Sequence, residues 1–357
     1  MRFPLQCIPL LMALLAGCAA PPSAVDPGVL ARDLERALAR AERRGFAGQL
    51  VVVHGDVVLV KRGFGTMTPS GQRPVDGEAV MPLASVTKPI TASAVLRLAG
   101  QGRISLDDPI GQHLPGLGEQ WVDIPIRHVL THTAGLPGEI VDRDYDGTPR
   151  FEPVDRQSFI ERVNRFHPDA PPGESFDYSN VGYGVLAALI ETVSGRSFER
   201  FVAAELLEPA GIDGIGLLEP GWPPGRLVTS RDGTASSGHY FDQPMLSDGA
   251  GFHLRGAGDL MATPGGVIDW WCAIREGRWL PESPMAQWLV PRVADPDGGA
   301  YGYGWHFRNG RPEREIGHTG QALDFTVAMT WYPDRDLLVY INSANARFRA
   351  DELVEVP

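Results

Sequence analysis

Read for the alternation of apolar and polar positions, the chain opens with a helix. From Val29 to Arg44 the positions Leu30, Leu34, Ala37, Leu38 and Ala41 form one apolar stripe, and Gly45 follows it. Two Val-rich runs come next, Gln49 to His54 and Val57 to Phe64, joined through Gly55-Asp56, which predicts a β-hairpin. From Ile90 to about Glu208 the spacing is helical, interrupted by long loops. Within that stretch the pattern predicts short helices over Ile126–Thr133 and Ser158–Phe166 and a longer one over Val181–Val193. A further helix is capped by Ser197 and expected to stop before Pro209. Gly211 to Gly256 shows no clear period and reads as loop. Thr263 before Pro264 is a good cap-and-first-residue pair for a helix to about Arg275. Four strand-like runs close the chain: Tyr301–Phe307, Glu315–Thr319, Phe325–Trp331 and Leu337–Ser343. A short helical tail follows.

Strands therefore lie at both ends of the sequence with helices between. The economical architecture is α+β: an antiparallel β-sheet flanked by terminal helices, with a mostly helical lobe inserted in it. The sheet lobe would comprise about 29–84 and 257–357, and the helical lobe about 85–256. The lobes meet near residue 85, a favoured place for a cleft.

The first stretch, before that domain, changes the picture of where the protein works. Arg2 is followed by a short apolar run, Leu5–Ala16, too short to span a bilayer, as expected of a signal peptide over 1–17. It ends in Leu15-Ala16-Gly17-Cys18, which resembles a bacterial lipobox. That resemblance implies cleavage before Cys18, lipid attachment there, a tether over 18–28, and a location in the cell envelope facing the periplasm. Cys7 lies in the signal and Cys18 would carry lipid. Only Cys272 is left, which excludes an intrachain disulfide in the mature protein and reads as a packing thiol beside Trp270 and Trp271. Net charge is −12 at pH 7, against a nucleic-acid partner.

Composition also singles out one residue. Lys and Arg total 32, but only Lys61 and Lys88 are lysines. Arg stays protonated and cannot act as a base, whereas an amine can. Lys88 stands three residues after Ser85, in Ser85-Val86-Thr87-Lys88, where a helix begins. At that spacing both side chains share one face, so the amine can take the hydroxyl proton and make a nucleophile. The same residues also suit an N-cap serine beside a solvated lysine. Tyr178-Ser179-Asn180 offers a phenol and an amide in a loop before a helix; it could equally be a turn capped by Asn180. His318-Thr319-Gly320 lies on a strand, where glycine permits close backbone approach or merely a bend.

Taken together and in this order, the three motifs resemble the serine β-lactamase-like superfamily: penicillin-binding proteins, class C β-lactamases, D-alanyl-D-alanine carboxypeptidases and related esterases. The likeness extends to His128-Val-Leu-Thr-His-Thr-Ala-Gly-Leu136, Pro172-Gly-Glu174, Tyr301-Gly-Tyr-Gly-Trp305 and the Leu106–Pro109 turn. It implies an exported serine hydrolase working through an acyl-enzyme on D-amino-acid peptides, amides or esters. A β-lactamase or a non-hydrolysing penicillin-binding receptor is the alternative. It implies Ser85 as nucleophile, Lys88 as its activator and Tyr178 as proton relay. Asn180, His318, Thr319 and Gly320 would contact substrate, and the backbone N–H groups of Ser85 and Gln321 would form the oxyanion hole. No cofactor or metal is implied, and the partners are the substrate and, through Cys18, a membrane. His318 departs from the lysine usual in the third motif and removes a permanent cation for a substrate carboxylate. The tail is also short for the family's final helix. Rival patterns fail: there is no G-x-S-x-G, no S-D-N, and His128 and His132 lack the glutamate of H-E-x-x-H.

Overall fold

A computed structural model describes residues 26–139, 154–168, 170–216, 221–239, 251–252, 254–296, 298–309 and 314–354. The expected signal segment, Cys18, the polar segment 142–153 and part of 211–256 lie outside the described residues.

Among the described residues the main sheet has eight strands, every neighbouring pair antiparallel: β1 (Gly48–His54), β2 (Val57–Phe64), β3 (Val293–Ala294), β4 (Ala300–Tyr301), β5 (His306–Asn309), β6 (Arg314–Ala322), β7 (Phe325–Tyr332) and β8 (Leu337–Ser343). The spatial order is β2-β1-β8-β7-β6-β5-β4-β3. The N-terminal hairpin thus pairs with the last strand, from Gly48 opposite Ser343 to His54 opposite Leu337. This closes the two ends of the chain into one layer, with the helices inserted between them in sequence.

Strands β1 and β8 are mostly apolar because both faces are covered, and the polar Gln49 and Asn342 among them are buried. Leu50, Val52, Val339 and Ile341 face a small core, while Val51, Val53, Leu338 and Tyr340 face the large one. The small core is closed by α1 (Pro27–Glu42). Asp26 caps it by accepting from Val29 N at 3.0 Å, and Leu30, Leu34 and Leu38 are buried. Each such leucine contributes roughly 1.5–3 kcal/mol. Behind the other face lies α2 (Thr87–Gly100), buried on almost every side, as a helix inside a large core must be. Packed on it is α3 (Asn180–Ser194), whose residues Val181 to Ile190 are all buried. The Thr263-Pro264 start is as expected: Thr263 Oγ1 accepts from Gly266 N at 3.0 Å, and the helix ends at Arg275.

Several expectations need correction. Tyr301–Phe307 is not one strand but the paired strands β4 and β5, joined by a tight turn. Gly304 makes that turn at φ +82°, and a Cβ there would stand 2.7 Å from Pro89 Cα, so the turn lies directly on the start of α2. Strand β3 and the hairpin Thr229–Asp232 with Ala235–His239 are additional. Their sequences lack apolar alternation, the signal on which strand prediction rests. The helix after Ser197 does not stop before Pro209. A π-helical stretch, Ala203–Leu207, resets it, and Pro209 falls in the first turn of a last piece, Glu208–Ala210, where its missing N–H costs nothing. Ser179, not Asn180, caps α3, accepting from Gly182 N at 2.8 Å. Cys272 is only half-buried.

Candidate active site

Ser85 sits in a single 3₁₀ turn, Ala84–Val86, that runs straight into α2. Ala84 is held at φ +45°, a left-handed conformation that costs a non-glycine residue about 1–2 kcal/mol. The surroundings enforce it: Leu83 N donates to Leu260 O at 2.7 Å on one side, and β6 presses on the other. A Cβ on Gly320 would lie 2.6 Å from Ser85 N, so only glycine lets the strand approach the serine backbone.

One turn along α2, Lys88 is 0% exposed. Its Nζ lies 3.0 Å from Ser85 Oγ, 2.6 Å from Asn180 Oδ1 and 2.8 Å from the Ala257 carbonyl. Burial disfavours the ammonium and lowers the amine from 10.5 to about 7, opposed by the charges of Glu139 and Asp259. The same nitrogen is 4.8 Å from the Tyr178 ring centre. Tyr178 shares a side-chain hydrogen bond with Ser85; burial raises its phenol above the ordinary value, and that bond partly offsets the rise.

The loop that brings Tyr178 and Asn180 is laced to residues 132–138. Asp177 N donates to His132 O at 2.8 Å, Ser179 N to His132 Nδ1 at 3.0 Å, and Asn180 N to Gly138 O at 2.9 Å. Ser179 Oγ donates to Pro137 O at 2.6 Å. The His132 ring lies 4.4 Å from that of Tyr178. Asn180 is oriented at both ends: Oδ1 accepts from Lys88, and Nδ2 donates to Glu139 Oε1 at 2.6 Å.

The third motif occupies β6, which pairs with β5 only as far as Gly317 opposite His306, so its next residues leave that neighbour free beside Ser85. The side chains alternate. His318 is buried at 3% exposure, Thr319 and Gln321 are exposed, and Gly320 meets Ser85. His318 was expected to contact substrate, but its ring is turned into an aromatic cluster. Nε2 is 3.3 Å from Tyr301 Oη, and the His306 ring centre is 4.8 Å away. Burial holds its pKa well below 6.5, reinforced by His306 and Lys88, so the ring is neutral at pH 7. The strand therefore offers a ligand backbone and Thr319, with Gln321 following.

Sequence reasoning assigned no role to Glu139, Asp259, Ala257, Tyr183 or Tyr301. His132 and Tyr301 lay inside quoted motifs without a role. Glu139 and Asp259 had no local signal, because their significance lies in contacts across the fold. Among the described residues no group of His, Cys, Asp or Glu could hold a metal ion.

Comparison with known proteins identifies the family. The family described as Beta-lactamase matches residues 30–353, and the chain belongs to that family. It is a serine hydrolase of the serine β-lactamase-like superfamily. Penicillin-binding protein 4* of Bacillus subtilis is 25% identical over 324 residues, covering 85% of this chain and 69% of that protein. Esterase EstB of Burkholderia gladioli is 31% identical over 210 residues, covering 54% and 53%. A β-lactamase/D-alanine carboxypeptidase from Yersinia pestis shares the fold at a TM-score of 0.75 and 19% identity, over 92% of this chain and 97% of that one. The D-amino acid amidase of Ochrobactrum anthropi does so at 0.74 and 20%, over 89% and 91%.

Proposed function

We propose that this hydrolase acts through an acyl-enzyme at Ser85 on D-amino-acid peptides, amides or esters. The observation that carries the reading is a buried amine, brought down to about 7, 3.0 Å from a serine hydroxyl. Neutral Lys88 takes the Ser85 proton as Oγ attacks the carbonyl carbon. Negative charge on the carbonyl oxygen falls to the N–H groups of Ser85 and Gln321, each such donor typically contributing about 3–4 kcal/mol. Tyr178 hands its proton to the leaving group as the acyl bond to it breaks, the proton taken by Lys88 is returned to Tyr178, and in the second half-reaction the same groups activate water. Asn180 and Thr319 orient the substrate.

Two features favour an amide or ester without a free carboxylate beside the scissile bond over a β-lactam. The imidazole of His318 is buried and uncharged, so it supplies no cation for the carboxylate of a β-lactam. The carboxylate of Glu139 stands against Asn180 and disfavours a second negative charge there. Among the relatives, the names of an esterase and a D-amino acid amidase fit this substrate class. A penicillin-binding receptor that is acylated without turnover is the other reading. For location, the lipobox-like stretch ending at Cys18 supports export and a lipid anchor in the cell envelope.

The test is to incubate the protein separately with a D-amino-acid amide, a D-Ala-D-Ala peptide, an aryl ester and a penicillin. Turnover and the mass of the Ser85 peptide are followed together. Turnover of the D-amino-acid amide and the aryl ester, with a transient Ser85 adduct, is expected. A persistent penicillin adduct without turnover of anything would establish the receptor instead, and no adduct with any compound would end the acyl-enzyme proposal.

A further inference from the structure

Lys88 is held by three acceptors, and two of them belong to the machinery already described. The third, the carbonyl of Ala257, comes from a strap, residues 256–260, that crosses the start of α2. The strap is tied to that helix start along its length. Thr91 Oγ1 donates to Gly256 O at 2.7 Å, Leu260 N donates to Thr87 Oγ1 at 3.2 Å, and Leu83 N donates to Leu260 O at 2.7 Å. Within the strap one side chain closes a turn. Asp259, at 0% exposure, accepts from Gly256 N at 3.0 Å through Oδ1, bracketing Ala257 between donor and acceptor. Among the described residues its second oxygen, Oδ2, is buried with no hydrogen-bond partner. An acid kept in a core with half its capacity unused is costly, and an apolar residue would pack there more cheaply.

We infer that Asp259 is a positioning residue for Lys88: it fixes the strap so that Ala257 O takes one Lys88 N–H and the amine stays aimed at Ser85 Oγ. The inference rests on the reading of Lys88 as the activator of Ser85. Asp259 touches neither substrate nor the reacting atoms. It acts by geometry, through the turn that brackets Ala257. The charged groups facing it are Glu199 and Arg255, the latter paired with Glu191 at 2.9 Å and Glu199 at 3.2 Å; those facing Lys88 are Glu139 and Asp259 itself. Burial raises the Asp259 carboxyl to about 8, so both Lys88 and Asp259 change charge close to neutrality.

The experiment is the acylation rate of the full chain with an aryl ester from pH 5 to 9, with Ser85 adduct mass as a second readout. Asp259→Ala removes the turn that brackets Ala257, and its plateau rate should fall at least tenfold. Asp259→Asn keeps an oxygen for Gly256 N, so its plateau should stay within threefold of wild type. Its acid limb should stay close to that of wild type, because a carboxyl raised to about 8 is largely protonated where Lys88 titrates. Thr91→Val leaves Asp259 intact but cuts the strap's tie at Gly256, and should slow the plateau three- to tenfold. A folded Asp259→Ala protein with an unmoved plateau, or Asp259→Asn as slow as Asp259→Ala, would overturn the inference. Should Asp259→Ala not fold, an unmoved plateau in Thr91→Val would overturn it equally. Absence of a Ser85 adduct in the wild type would remove the acyl-enzyme reading and this inference together. An adduct with unaffected variants would remove this inference alone.

Discussion

The two walls of the cleft are built on opposite plans. On the helical wall, Ser85, Lys88, Tyr178 and Asn180 spend their polar atoms on one another, and Lys88 alone meets Ser85, Asn180 and Ala257. On the strand wall, the one ionisable side chain of the motif, His318, is buried in an aromatic cluster that includes the Tyr178 ring 6.1 Å away, and Gly320 brings bare backbone against Ser85. The helical wall is dense with side-chain chemistry and the strand wall is nearly a length of exposed main chain. Tuning of the nucleophile therefore belongs to the helical wall. The strand wall decides how closely a substrate approaches and, by offering no charge, which substrates are favoured.

That contrast predicts unequal consequences for substitutions on the two sides. The largest belongs to Lys88→Met, which removes the base while keeping the packing volume. Activity on an aryl ester should fall about 10³–10⁴-fold, within the usual range for loss of a general base. A loss below tenfold would show that the helical wall is not the source of activation. Next is Gly320→Ala. Its Cβ would meet Ser85 N at 2.6 Å, and backbone cannot yield as a flexible side chain can. A loss of about 1–3 kcal/mol in stability, together with at least tenfold in activity, is expected from denaturation and kinetics. Full activity would mean the wall is looser than described. Smaller still is His318→Gln, which disturbs the contact with Tyr301 Oη. It should lower the melting temperature while changing aryl-ester turnover less than tenfold. A hundredfold loss would place the imidazole in the chemistry and erase the contrast.

These three positions were unequally legible in the sequence. Ser85 and Lys88 stood out because the chain uses Arg for nearly every cation, and the spacing of three on a helix start is a local fact. The hairpin of β1 and β2 and the Thr263-Pro264 cap were legible for the same reason, since caps, turns and alternation are written in neighbouring residues. The direction in which His318 points was not, because it depends on where β5 leaves β6. Nor was the division of Tyr301–Phe307 into two strands, forced by a turn packed on Pro89. Asp259 was invisible for a similar reason: its partner is near in sequence, but its meaning lies in Lys88, far away in the chain and close in space.

A subtler expectation concerns stability. The Lys88 amine takes its proton near 10.5 when the chain is unfolded and at about 7 when folded, so between those values the unfolded chain binds more protons. Stability conferred through this group therefore rises with pH across the window from about 7 to 10.5, and its deficit is complete below about 7. Lys88→Met lacks this dependence. The stability difference between wild type and Lys88→Met, measured by chemical denaturation, should shift in favour of wild type as pH is raised through that window. An unchanging difference would mean that the amine is not desolvated in the folded protein.

The direct measurement of the same property is a titration of lysine side chains by NMR, which is unusually simple here because Lys61 and Lys88 are the only two lysines. With the lysine ε-carbons labelled, two resonances are followed from pH 5 to 9, and Lys61→Arg assigns them. The account predicts that the Lys88 resonance inflects at about pH 7, alongside the rising limb of the acylation rate. A Lys88 resonance that stays at the charged position up to pH 9 while the rate still rises would contradict it, and the base that activates Ser85 would have to be sought elsewhere.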